Sequence, residues 1–357
     1  MNTNRIVKLD IARTFAIFCV VLCHCSEMIY TQQWLNIDGT TITSRLFMVA
    51  TFTIGRMGVP IFLFLSGALL LKKSIDDDDD ILRFYKHNLL PLIIVNEIWV
   101  LLYKLYSVYV LNGSFRVIDL IKELLLIKNC PMTNMWYMPV IIGIYIGVPF
   151  LAKIVKTFSF KSVQVIMIAI FIFSFIVPGL NVFSKVFNIN EIFGSDIYVA
   201  YMAYVLYILL GYYINNKKIK INKVLLIFVF LSCYTVTVYV EMCSFKSVLV
   251  DVYKVWYDFP FLLIGSACLF DIFIQIKDEG INKNIAKVFT YISKMSMGIF
   301  FMHVLILMTL IKYMGQITGR LSLDVIILLF ITFFLSIFIV TILSRFKYLK
   351  KYMFLIK

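Results

Sequence analysis

Among the ionisable residues inside long apolar stretches of the chain, four could do chemistry: Arg13 and His24 in the first, Arg56 in the second and His303 in the ninth. An ionisable group near the centre of a bilayer costs at least about 2.5–3.5 kcal/mol, so each needs a partner or a task. Arginine is a permanent cation whose planar fork binds anions, and an imidazole exchanges protons in the physiological range. Arg13 and His24 are eleven residues apart, about 20° from three whole helical turns and about 16 Å of rise. Both project from one helix face, too far apart to touch but able to line one polar path across a membrane.

The second stretch, reading GRMGVPIFLFLSG, runs back the other way. Counted from its inner end, Arg56 stands at about 22 Å and Ser66 at about 7 Å. Two polar levels follow, His24 with Arg56 and Arg13 with Ser66, and the glycines between them permit close backbone approach. The structural alternatives are specific. Asp10, three residues before Arg13, can hold it in an interfacial ion pair. His303, in an aromatic stretch, can equally be a hydrogen-bonded packing residue. Glu97 and Lys104 share a face of the third stretch and are expected to pair with neighbouring helices. Cys23, His24 and Cys25 are consecutive, so their side chains diverge by about 100° each and cannot converge on one ion; no metal site is expected.

Helices of the membrane-spanning kind must position these residues. The 357-residue chain is 62% hydrophobic and 15% charged, against about 45–50% and about 25% in soluble domains. Ten apolar runs are each near the 20 residues a helix needs to cross about 30 Å of hydrocarbon: 11–31, 46–71, 89–111, 136–153, 162–180, 197–214, 223–240, 258–275, 296–313 and 323–343. The expectation is an all-α polytopic membrane bundle of about ten transmembrane helices forming a single domain, 1–357. The first run is read as a retained helix, and the connections are too short to build a separate core. The acidic run Asp76 to Asp80 is expected as a solvated loop.

The net charge of +14 raises the question of nucleic acid, but roughly two-thirds of the 34 Lys and Arg residues fall in alternate connections and the two tails. That is a topology signal: both termini are expected in the cytoplasm, with anionic lipid as the partner of the basic residues and no nucleic acid. Five of the seven cysteines fall inside apolar runs and read as packing residues; Cys130 and Cys243, outside, can pair if that face is oxidising.

The segments carrying these residues resemble the acyltransferase-3 family of membrane O-acyltransferases, over nearly the whole chain. RIVKLDIARTFAIFCVVLCHCSE is similar to the family's opening Leu-Asp-x-x-Arg with a histidine eleven residues after the arginine, here Leu9, Asp10, Arg13 and His24. VPIFLFLSGALLL is similar to its aromatic segment ending in Ser-Gly, here Phe62, Phe64, Ser66 and Gly67. NMWYMPVIIGIYIGVP matches its Trp-aromatic helix opening through Trp136, Tyr137 and Tyr145, and SKMSMGIFFMHVLI its late segment through Ser296, Gly298 and His303. The chain departs from the family where two arginines are common before the third helix, carrying Arg83, Lys86 and His87, and has Asn134 where a histidine often precedes the tryptophan.

The resemblance implies transfer of an acyl group, usually acetyl, from cytoplasmic acyl-CoA to a hydroxyl of a cell-surface glycan or its lipid-linked precursor. It implies no permanently bound cofactor, a multi-pass location in the cell membrane, and short polysaccharide-acetylating members as the nearest kind. Under it, Arg13, Ser66, Arg83 and Lys86 would hold the donor, His24 would act as general base, and Arg56 would stabilise the oxyanion. The alternative reading is a transporter or flippase, binding an anionic or glycan substrate at His24 and Arg56 during alternating access.

Overall fold

The computed structural model describes residues 6–31, 41–189, 193, 202–216, 221–244, 255–315 and 317–356. Among them the regular structure is helical: α1 (Val7–Thr31), α2 (Ile42–Arg56), α3 (Gly58–Leu70), α4 (Asp78–Phe84), α5 (Leu90–Tyr109), α6 (Val117–Leu124), α7 (Tyr137–Thr157), α8 (Phe160–Phe171), α9 (Val177–Val186), α10 (Ala203–Asn215), α11 (Lys223–Ser244), α12 (Pro260–Ile274), α13 (Lys283–Met314), α14 (Leu321–Leu343) and α15 (Lys347–Tyr352). The protein is an all-α polytopic membrane protein. Eight continuous helical stretches among the described residues are long and apolar enough to cross a bilayer. The sixth and eighth expected spans coincide with the shorter apolar helices α10 and α12. The fifteen residues of α12 rise about 22 Å, less than the hydrocarbon thickness.

Local chemistry explains the interruptions. The second span breaks at Met57 because Pro60 has no N–H to give the Arg56 carbonyl, so α2 ends at Arg56 and α3 starts at Gly58. Thr41 caps the start of α2 by accepting the Ser44 N–H at 3.1 Å. The acidic run, expected as a loop, instead opens a helix. Asp77 caps α4 by accepting the Asp80 N–H at 2.8 Å, and Asp78, Asp79 and Asp80 complement the positive end of the helix dipole.

The chain divides into two compact units, Met1–Lys73 with Leu151–Thr290, and Ser74–Phe150 with Tyr291–Lys357; two of the three boundaries fall inside α7 and α13 and the third between α3 and α4. In the first unit, glycines set the helix spacing. A Cβ on Gly55 would stand 2.7 Å from the Cys23 backbone nitrogen, so α2 and α1 meet backbone to backbone. Gly67 of α3 faces the Ile208 carbonyl of α10, while Gly211 of α10 faces the Phe64 carbonyl of α3, a reciprocal contact with no room for a side chain on either helix.

In the second unit, α5 and α13 are joined by hydroxyl donors. Tyr103 Oη bonds the Phe301 carbonyl at 2.6 Å, and Tyr106 Oη pairs with Thr309 Oγ1 at 2.8 Å. Trp99 stacks on Phe301 with centroids 5.0 Å apart and donates its indole N–H to the Met353 carbonyl at 2.9 Å. Phe354, fully buried, completes that aromatic cluster.

Candidate functional site

The first unit gathers a set of charged and titratable side chains around the Gly55–Cys23 contact. His24 follows Cys23 on α1 and Arg56 follows Gly55 on α2, so the two stand at one depth. His24 is 8% exposed, and its Nδ1 lies 3.1 Å from Oε2 of Glu27, one turn further along α1. An ionised carboxylate accepts only, so this bond puts the ring proton on Nδ1 and makes Nε2 the basic nitrogen of the neutral ring.

Arg56 is 4% exposed and held from several sides. Its guanidinium lies over the rings of Phe52 and Trp256, 4.6 Å from each centroid, and over Tyr257 at 5.7 Å. It donates to the Val255 carbonyl. The N–H of the same residue is accepted by Glu241 on α11, so Val255 is clamped between a buried cation and a buried carboxylate. Glu27 also lies within electrostatic reach of Arg56. The clamp continues through Trp256, whose indole donates to the Tyr204 hydroxyl. Asp258, just before α12, lies within electrostatic reach of Arg56.

The inner level holds Arg13 and Ser66. Counted inward from the Gly55–Cys23 contact they stand ten and eleven residues away, about 15 Å and about 16 Å. Ser66 donates its hydroxyl to the Phe62 carbonyl at 2.9 Å, so in this conformation it offers a phosphate an acceptor rather than a donor. Asp10, 5% exposed, accepts from Thr290 Oγ1 at 2.8 Å. Gly67 serves the α3–α10 contact already described.

The remaining expected site residues belong to the second unit. Arg83 on α4 is exposed and ion-paired with Asp80 at 3.0 Å, and Lys86 is exposed on the π-helical turn Tyr85–Leu89 that follows. Trp136 precedes α7 in an edge-on arrangement with Tyr137, centroids 6.0 Å apart. His303 on α13 is fully buried, its Nδ1 2.9 Å from the Ile299 carbonyl, which places that proton on Nδ1. Among the described residues no three His, Cys, Asp or Glu side chains cluster as metal ligands, and Cys130 and Cys243 are free thiols.

The arrangement can take a proton at His24 and stabilise negative charge at the same depth, which suits acyl transfer. The family model for an acyltransferase domain matches residues 6–345, across both units. The chain belongs to the acyltransferase-3 family. No curated protein and no solved structure matches it. The acyltransferase therefore carries the family's opening motif on α1, with Glu27, Glu241, Trp256 and Tyr257 as further members of the site that reading by motif misses. Glu27 was legible as an i, i+3 neighbour of His24. Glu241, at the end of the seventh apolar run, carried only the weaker signal of a carboxylate at a span boundary.

Proposed function

We propose that the protein is a multi-pass O-acyltransferase of the cell membrane, both termini cytoplasmic, which moves an acetyl group from cytoplasmic acetyl-CoA to a hydroxyl of a cell-surface glycan or its lipid-linked precursor. The observation that carries the reading is the His24–Glu27 pair at 3.1 Å beside buried Arg56, within a chain of the acyltransferase-3 family.

Glu27 holds the Nδ1 proton and the orientation of the ring, so Nε2 of His24 takes the proton of the acceptor hydroxyl as its oxygen attacks the thioester carbonyl. The new C–O bond forms, negative charge gathers on the carbonyl oxygen, and the cation of Arg56 stabilises it. Collapse breaks the C–S bond, and the proton held on His24 leaves with the coenzyme A thiol. Arg13, at the inner level, is the cation assigned to the donor's phosphates.

The test is mass spectrometry of surface glycans from cells expressing the wild type, His24→Ala or no protein. A base-labile mass of one acetyl group that depends on the wild type alone is expected. If no acyl mass depends on the protein, the enzyme reading fails and uptake measurements for a transporter replace it.

A further inference from the structure

The turn that meets Arg56 is held through its backbone, which leaves its side chains to be explained. Val255 to Phe259 lead into α12, at the helix ends that the charge pattern assigns to the outside of the cell. The Phe259 N–H closes the turn on the Trp256 carbonyl at 3.0 Å, and the Tyr207 hydroxyl of α10 donates to the Tyr257 carbonyl at 2.8 Å. The Val255 carbonyl accepts from Arg56 and its N–H is taken by Glu241, so non-helical backbone at this depth has protein partners. Val255, Tyr257 and Phe259 are buried, Asp258 is half-buried, and Trp256 is 43% exposed.

Trp256 is not placed as an interfacial anchor. Such a residue turns its N–H to water and headgroups. Here the indole N–H is used inside the protein, on the Tyr204 hydroxyl, and the Arg56 guanidinium lies over the ring at 4.6 Å from the centroid. What remains exposed is π surface with no polar handle of its own. Tyr204, half-buried at the start of α10, is within electrostatic reach of both Asp258 and Arg56, so ring, hydroxyl and carboxylate share one neighbourhood. Arg56 in turn stands at the depth of His24.

The ligand chemistry follows from those groups. The negative face of an aromatic ring attracts C–H groups, and a carboxylate accepts from hydroxyls. A phosphate would meet Asp258 as a like charge, and an acyl chain would strip water from the carboxylate without replacing its hydrogen bonds. A pyranose ring offers both complements at once, a C–H face for the indole and hydroxyls at its edge for the carboxylate.

We propose that Trp256 and Asp258 form the acceptor platform: a neutral pyranose unit of the glycan lies on the exposed indole and gives its hydroxyls to Asp258, beside the level at which His24 takes the proton of the reacting hydroxyl. The inference rests on the acyltransferase reading and names the residues that hold its acceptor.

The test is acetyl transfer by the full chain in nanodiscs, which leave both faces open. The acceptor is the unacetylated glycan and glycolipid fraction of cells lacking the protein, measured by sugar content, and acetyl-CoA is varied separately. Trp256→Leu should raise the apparent KM for the acceptor fraction by about tenfold and Asp258→Asn by about threefold, in excess of any fall in kcat, with the KM for acetyl-CoA moving by less than about twofold. Trp256→Phe keeps an aromatic face over Arg56, should fall between wild type and Trp256→Leu, and carries the test if Trp256→Leu fails to fold. An acceptor KM unmoved in Asp258→Asn or in the Trp256 variants, a loss confined to kcat, or an equal rise in the KM for acetyl-CoA would leave Trp256 as a cover for Arg56 and overturn the platform alone. No transfer by the wild type would overturn the acyltransferase reading, and the platform with it.

Discussion

Nδ1 of His24 and Oε2 of Glu27 are 3.1 Å apart on successive turns of α1, at the depth where Arg56 enters from α2. A carboxylate in that position fixes which imidazole nitrogen is basic, as the proposed role of His24 requires. Removing the base should therefore cost more than removing its holder. His24→Ala should lower acetyl transfer by about 10²–10⁴-fold with normal membrane insertion. Glu27→Gln should lower it by about tenfold or more, through the rate rather than the apparent affinity for donor. Glycan acetylation normalised to protein level measures both; a His24→Ala variant with wild-type acetylation removes His24 from the chemistry.

Arg56 and Glu241 meet across the backbone of Val255, and both are nearly fully buried. Breaking such a pair strands a charge, which typically costs about 3–5 kcal/mol. Arg56→Met should lower the thermal midpoint of the detergent-solubilised protein sharply. Adding Glu241→Gln should restore part of it, with a coupling of about 0.5–3 kcal/mol in the double-mutant cycle. Arg56→Lys keeps the charge but loses the planar stack on Phe52 and Trp256, so it should fall between wild type and Arg56→Met. Additive effects in the cycle would separate the two residues.

The reciprocal contact of Gly67 and Gly211 leaves no space for a methyl group. Gly67→Ala or Gly211→Ala should destabilise by about 1–3 kcal/mol through overpacking. Gly143 and Gly147 on α7 have nothing within 4 Å of an added Cβ, and alanine there should be neutral or stabilising by up to about 1 kcal/mol. Thermal midpoints of the four single variants decide it; equal losses at all four would show that helix spacing is not set at α3 and α10.

The thiol of Cys130 is pushed up to about 11, chiefly by burial. Since the thiolate is the nucleophile, its alkylation should rise about tenfold per pH unit until that value is reached. In Glu123→Gln the raising effect of the neighbouring carboxylate is removed, so labelling at a fixed alkaline pH should be faster than in the wild type. A rate that levels off near pH 8.5, as for an ordinary thiol, would place Cys130 in water.

Length and polarity are local properties, which is why the chain by itself determined the helices and their levels. The apolar runs place the helices, eight of them long enough to span among the described residues, and counting helical rise puts His24 with Arg56 and Arg13 with Ser66. Reading by motif misses Glu27, one turn from His24, although its i, i+3 spacing is legible in the sequence. What only the tertiary structure decided is which distant groups answer those charges. Val255 and Glu241 reach Arg56 from about 200 residues away, and Asn134 finds Tyr103 and Phe300 on two other helices. The acidic run reads as a loop because five adjacent carboxylates repel, yet the dipole and cap of α4 outweigh that repulsion. Periodicity fixes the face and depth of a side chain along its own helix, but the partner across the gap depends on how helices of independent sequence pack, and that is settled where glycines such as Gly55, Gly67 and Gly211 let backbones meet.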